Sequence, residues 1–248
     1  MNKKVIWITG ASSGIGRAVA EKFANNNWTV AVSARRVELL NELSKKENIY
    51  SYPADVTKID QLNTVFNNII KDLGKIDLCV FSSGTYERKN EKGIDPEKIR
   101  DVINVNLLGV VNSVKIVENY FKEKKNGHIA IVSSPVGYRG LPKSTGYAPS
   151  KAALNNFTQG IYFDFQKFNV RITLISPGFI KTELTDKNDF KMPFLKSTTF
   201  AADKIYNGLI YKKAFEIIFP TQIGIIYKIF QILPNKFYNY LISKYINR

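Results

Sequence analysis

The sequence is poor in the residues that build metal clusters and cross-links: among 248 residues it holds one cysteine, Cys79, and one histidine, His128. A single cysteine excludes an internal disulfide and any cysteine metal cluster, and it fits a reducing compartment. Cys79 lies inside the apolar run "IDLCVF", where a small buried strand residue is expected. A lone histidine excludes a multi-histidine zinc site, so no metal centre is expected. His128, in "KNGHIAIVSS", is expected at a turn ahead of a strand and outside the chemistry, which leaves acid and base work to other residues. Long apolar runs are also lacking. The start "MNKKVIWITGASSGIG" offers neither a secretory signal nor a membrane anchor, so a cytoplasmic location is the expectation. Acidic residues are few, 21 against 36 Lys and Arg, for a formal charge of +15. The lysines are scattered rather than clustered, so solvated lysines explain the charge best, an anionic membrane surface next and nucleic acid last.

What is present is the material of a packed core: 44% apolar residues, with 13 Tyr and 16 Phe. Short β-branched runs alternate with segments of helical periodicity. "KKVIWITG" is followed by "GIGRAVAEKFANNNW", which sets Ile15, Val19 and Phe23 on one helix face. "TVAVSA", "IYSYPAD", "IDLCVFSSG", "HIAIVSS" and "VRITLISPG" read as further strands, with helices such as "VELLNELSKK" and "IDQLNTVFNNIIKDLG" between them. This alternation predicts an α/β fold, one Rossmann-type doubly wound parallel sheet with helices on both faces, and residues 1–248 as a single domain. The tail, 217–248, differs: it has no Asp or Glu but keeps Lys228, Lys236, Lys244 and Arg248. Its apolar segments "IGIIYKIFQIL" and "NKFYNYLISKYI", split by Pro234, are too short to span a bilayer. They either pack on the domain or a second subunit, or lie in a membrane interface as basic amphipathic helices.

Between the first strand and helix stands "TGASSGIG". Gly10 permits a sharp turn, Gly14 a close backbone approach to a pyrophosphate, and Gly16 close helix packing, while the helix N-terminus favours an anion. Ser12, Ser13 and Ile15 complete the expected cofactor-binding turn. Where the next strand ends, an acidic residue would accept hydrogen bonds from a ribose 2′-hydroxyl; this chain has "VSARR" instead. Arg35 and Arg36 suit a 2′-phosphate, which predicts NADP(H) over NAD(H).

"TGASSGIG", "ADV", "NVNLLG", "SSPVG", "YAPSK" and "SPGFIKT" together resemble the short-chain dehydrogenase/reductase family, in its order and spacing, over roughly Lys4 to Ala202. The resemblance implies four catalytic residues. Tyr147 would exchange a proton with the substrate oxygen, Ser134 hold that oxygen, Lys151 assist Tyr147, and Asn106 position a water in the relay. It also implies that Asp55 and Val56 contact the adenine, that Ser82, Ser83 and Gly84 line the ribose side, and that Pro177, Gly178, Ile180 and Thr182 hold the nicotinamide. Asn106, Tyr147 and Lys151 would touch the cofactor as well. One departure is "FSSG" in place of the family's usual Asn-Asn-Ala-Gly run, which puts local sheet hydrogen bonding in question.

Elementary chemistry gives the Tyr and Lys roles a basis of their own. A free tyrosine, with a pKa of about 10, is a poor base at neutral pH, and a lysine four residues on shares its helical face and favours the phenolate. Pro149 between them is tolerated near a helix start, so both are expected in a first turn. Residues 183–200 occupy the place of the family's mobile lid. There Phe190, Met192, Phe194 and Leu195 would close over a lipophilic ketone or alcohol, and Tyr138, Leu141 and Pro142 would line the substrate's other side. A homodimer or homotetramer is implied by the resemblance alone. The alternative is a dinucleotide-binding protein with a membrane or partner role and a vestigial reductase site.

Overall fold

In the computed structural model, residues 3–86, 93–188 and 191–245 are described. The strands β1 (Val5–Thr9), β2 (Thr29–Ser33), β3 (Ile49–Ser51), β4 (Leu78–Phe81), β5 (Gly127–Val132), β6 (Val170–Pro177) and β7 (Glu216–Phe219) form one sheet in the order β3-β2-β1-β4-β5-β6-β7. Every pairing is parallel. A parallel sheet needs its connections to cross over its faces, so both faces are covered and the strands are rich in apolar residues. In β1, "VIWIT", all five residues are buried. Alternate side chains feed two cores: Ile6 and Ile8 join Val19, Phe23 and Leu40 on one face. Trp7 joins Cys79, Phe81 and Phe121 on the other.

The helices α1 (Gly14–Ala24), α2 (Val37–Leu43), α3 (Ile59–Leu73), α4 (Pro96–Ile103), α5 (Gly109–Lys124), α6 (Tyr147–Gln166) and α7 (Thr198–Asn207) supply the cover. Chain order reverses between β1 and β4, since β1 leads outward to β2 and β3 while β4 leads to β5, β6 and β7. In such a sheet the crevice beyond the strand ends at the reversal is where ligands bind.

Two expectations shift. His128 lies within β5 and is buried rather than standing in a turn ahead of it. Its Nδ1 accepts from Arg171 at 3.0 Å, so its Nε2–H is the donor to Thr173 Oγ1 at 2.9 Å, and that hydroxyl donates to the Ala214 carbonyl at 3.1 Å. Burial, reinforced by Arg171, depresses its pKa to about 3; His128 is a neutral core histidine. Lys151 opens the second turn of α6, with Tyr147 in the first.

The tail forms α8 (Thr221–Ile232) and α9 (Asn235–Tyr245), broken at Pro234 as expected. It packs on the domain through Ile223, Tyr227, Tyr238 and Ile242. Arg139 fixes the junction: Nη1 donates to the carbonyls of Phe230 at 2.9 Å and Leu233 at 2.8 Å, Nη2 donates to Asn235 Oδ1, and the guanidinium stacks 4.3 Å from the centre of the Tyr238 ring. The Tyr238 hydroxyl returns a hydrogen bond to the Gly140 carbonyl. Among the described residues no helix is long and apolar enough to cross a membrane.

Candidate active site

Four of the expected residues converge at the sheet's reversal. Ser134 follows β5, and its hydroxyl accepts from Val136 N at 3.4 Å as the cap of a short 3-10 turn, Pro135–Gly137. Tyr147 is the first residue of α6, where the missing N–H of Pro149 has no helical partner to lose. The Tyr147 phenol hydrogen-bonds Ser134, and that bond works against burial, the larger effect, which with Tyr86 pushes its pKa up to about 12. The Tyr86 ring meets the Tyr147 ring edge to face at 5.3 Å.

Lys151 is buried beneath them. Its Nζ donates to the Val132 carbonyl at 3.0 Å and lies 5.7 Å from the centre of the Tyr147 ring. Desolvation lowers its pKa to about 8, because low-dielectric surroundings disfavour the ammonium form.

Asn106 is fully buried in a single π-helical turn, Asn104–Leu108, between α4 and α5. Its Oδ1 accepts from Thr85 N at 2.7 Å, and its Nδ2 donates to Thr85 O at 3.0 Å and Ser150 Oγ at 3.1 Å. Ser150 Oγ in turn donates to the Tyr147 carbonyl at 2.7 Å. Asn106 is therefore a strut joining the end of β4 to the first turn of α6. A Cβ on Gly84 would stand 3.6 Å from Asn106 Oδ1 and 3.9 Å from Lys151 Nζ, so the backbone at Gly84 lies close to both side chains.

The Gly-rich turn has the geometry of a cradle that side chains would fill. Gly10 has φ +70° and a Cβ there would lie 2.6 Å from Ser83 N; Gly14 has φ +57° and its Cβ would lie 3.2 Å from Thr182 Cγ2. At Gly16 a Cβ would overlap the Gly10 carbonyl oxygen at 2.3 Å, which accounts for the close helix packing. Ile15 packs against the core, and Ser13 precedes the first residue of α1. These residues fit a pyrophosphate at a helix N-terminus.

Arg36 lies over this turn, with Nε donating to Ser12 Oγ at 3.2 Å, Nη2 to Ser13 Oγ at 2.5 Å, and Nη1 paired to Glu183 Oε2 at 2.8 Å. Arg35 beside it is exposed, with no ion pair among the described residues. The Asp55 carboxylate closes an Asx turn, accepting from Thr57 N at 2.9 Å and Oγ1 at 2.8 Å. Val56 is buried facing α5, where a Cβ on Gly109 would meet its Cγ2 at 2.6 Å. At "FSSG" the sheet is intact, since Ser82 N donates to Thr9 O at 3.2 Å. Past β6, which ends at Pro177, Gly178 N donates to the Phe219 carbonyl at 2.7 Å. The buried Ile180 pairs with Lys196, and Thr182 is stapled to Thr185, whose Oγ1 accepts from Thr182 N at 2.9 Å.

On the substrate side, Met192 is half-buried, Phe194 and Leu195 are exposed, and Phe190 lies outside the described residues. Tyr138 reaches Ser176 Oγ at 3.4 Å, and Leu141 and Pro142 are half-buried beside it in the chain. Sequence reasoning missed Tyr86, Arg139, Glu183 and Tyr227. Tyr227 comes from α8, is buried, and its phenol interacts electrostatically with those of Tyr238 and Tyr147. No periodicity marks these residues. For Glu183, the one available signal was an acid directly following the "FIKT" motif.

The chain is similar to known proteins over most of its length. The family described as short chain dehydrogenase matches residues 4–192. An uncharacterized oxidoreductase of Myxococcus xanthus (strain DK1622) is 33% identical over 96% of this chain and 96% of its own length. The 3-oxoacyl-[acyl-carrier-protein] reductase FabG of Thermotoga maritima is 36% identical over 74% of this chain and 77% of its own. Among solved structures, ElxO with NADP bound superposes with a TM-score of 0.78 at 28% identity, covering 87% of this chain and 97% of that one.

Proposed function

Because the chain belongs to the short-chain dehydrogenase/reductase family of oxidoreductases, we propose that it interconverts a ketone or aldehyde and an alcohol with NADP(H). The observation that carries this reading is the contact of the Tyr147 phenol with Ser134 above a buried Lys151. The nicotinamide, when bound, supplies or accepts the hydride at the substrate carbon. The residues handle the proton. Ser134 holds the substrate oxygen in line with the Tyr147 phenol, which gives its proton to that oxygen during reduction and takes one during oxidation. At neutral pH the phenol is protonated, suited to act as the acid; the ammonium of Lys151 lowers the cost of the phenolate that results. Asn106, tied to Thr85 and Ser150, sets where α6 begins relative to β4 and leaves one lone pair of its Oδ1 to a relay water.

Arg35 and Arg36 support NADP(H): at the end of β2 they present guanidinium groups where a hydroxyl acceptor would be needed for NAD(H). Solved structures of similar fold that hold NADP or NADPH support the same reading, although another holds NAD. Tyr86, Tyr138 and Tyr227, with Met192, favour a lipophilic substrate. A homodimer or homotetramer in the cytoplasm belongs to the same reading, and light scattering counts the subunits. The test is to follow NADPH absorbance against carbonyl compounds graded by chain length: turnover should rise with apolar length and collapse in Tyr147→Phe. A Tyr147→Phe protein with undiminished turnover would end the reading.

A second observation favours peripheral contact with an anionic lipid surface. Ile225, Ile229 and Ile232 form a stripe on the outer side of α8, and Phe237 and Tyr240 are exposed on α9, with Ile232 82% exposed. The tail has lysines and no acid, matching anionic headgroups in charge. Full-length protein should sediment with phosphatidylglycerol vesicles and not with phosphatidylcholine vesicles, and Ile229→Glu with Ile232→Glu should abolish it. Equal recovery in the supernatant from both vesicle types refutes the contact.

A further inference from the structure

We propose that Glu183 is a specificity-determining residue that competes with the cofactor's 2′-phosphate for Arg36, and so latches the segment after β6 to the cofactor side of the cleft. The proposal rests on the NADP(H) reading above. Arg36 leaves the end of β2, and Glu183 stands 147 residues later, at the root of the lid segment. The pair, 2.8 Å between Nη1 and Oε2, bridges the rim of the crevice. The other two nitrogens of the same guanidinium bond Ser12 and Ser13 of the Gly-rich turn. Arg36 is thus held against the surface that the pyrophosphate would approach, with its fork committed to a carboxylate.

The root of the lid is otherwise fixed. Lys181 N donates to Lys196 O at 2.8 Å, Lys196 N donates to Phe179 O at 3.0 Å, and Thr182 lies against Gly14. Among the described residues, Arg36–Glu183 is the ion pair that ties the start of this segment, 182–188, to the Gly-rich side. Carboxylate and phosphate both match the guanidinium fork, and the phosphate carries more charge and more acceptor oxygens. A 2′-phosphate therefore exchanges with Glu183 on Arg36, whereas a 2′-hydroxyl does not displace a carboxylate from it. Glu183 opposes NADP(H) binding alone, and its release reports to the lid that the phosphate has arrived.

The experiment is a double-mutant cycle read by calorimetric titration of NADP and NAD into the full-length protein. Glu183→Gln should tighten NADP about two- to five-fold, the worth of an exposed ion pair, and leave NAD unchanged. In the Arg36→Ala background the same substitution should do nothing. Without cofactor, Glu183→Gln should also speed trypsin cleavage within 182–196, and wild-type protein should reach that rate on adding NADP. Unchanged or weaker NADP binding in Glu183→Gln overturns the latch. So does equal tightening in the Arg36→Ala background, which would be a general field effect. If wild-type protein binds NADP no better than NAD, the 2′-phosphate reading fails and takes the latch with it; a wild-type preference with a silent Glu183→Gln refutes the latch alone.

Discussion

Lys151 Nζ donates to the carbonyl of Val132 at 3.0 Å, on the last residue of β5, while standing 5.7 Å from the centre of the Tyr147 ring. The strand holds the ammonium over the Tyr147 ring. With desolvation holding Lys151 at about 8 and Tyr147 at about 12, the lysine is the first of the two to lose its proton as pH rises. kcat/KM for carbonyl reduction should be level below pH 8 and fall above it, approaching tenfold per unit. Lys151→Arg, if active, should lack that descending limb. A wild-type profile that stays level through about pH 9.5 would contradict the assignment.

Cofactor choice turns on the two arginines. Arg35→Ala with Arg36→Ala should raise the Kd for NADP(H) by about tenfold or more, the scale of two charge-assisted bonds to phosphate, with little change for NAD(H). Fluorescence titration of both cofactors decides it, and equal losses would remove the 2′-phosphate assignment.

The Arg139 junction predicts a separable tail. Arg139→Ala removes hydrogen bonds to Phe230, Leu233 and Asn235 and the stacking on Tyr238. Hydrogen exchange should accelerate across 221–245 while β1 to β6 keep their protection. On the proposal that Tyr227 of α8 lines the substrate's path, KM for the carbonyl should rise more than kcat falls. Uniform protection across the tail would show that the clamp is dispensable.

His128 makes an acid-sensitivity prediction. Its folded pKa of about 3 lies below the ordinary histidine value of 6.5, so between those values the unfolded chain binds a proton that the folded one does not. Stability should be intact above pH 6.5 and decline as pH falls toward 3, by up to about 2 kcal/mol at pH 5. Denaturant melts of wild type and His128→Gln at pH 7 and pH 5 check this; the variant should lose less, and equal losses would place the acid sensitivity elsewhere.

Strands were legible because a sheet covered on both faces favours apolar residues in runs, as in "VIWIT". The start of α6 was legible because Pro149 fits a helix only near its beginning. The π-helical turn was not: "NVNLL" continues ordinary helical periodicity, and what distinguishes it is Asn106 pairing with Thr85 across the crevice. His128 was misplaced because its partners, Arg171 and Thr173, come from a strand more than forty residues on. The tail's two readings could not be separated from composition, since one face of each helix is buried and the other exposed. Arg139, which decides where the tail packs, meets it more than ninety residues away.

Arg139 grips the tail mainly by main-chain oxygens, those of Phe230 and Leu233. Carbonyls are present whatever residues carry them, so the fastening does not depend on most of the tail's side chains. The final two helices can then be treated as an exchangeable cassette: residues such as Tyr227 can be varied to reshape the substrate wall while the anchor keeps its hold.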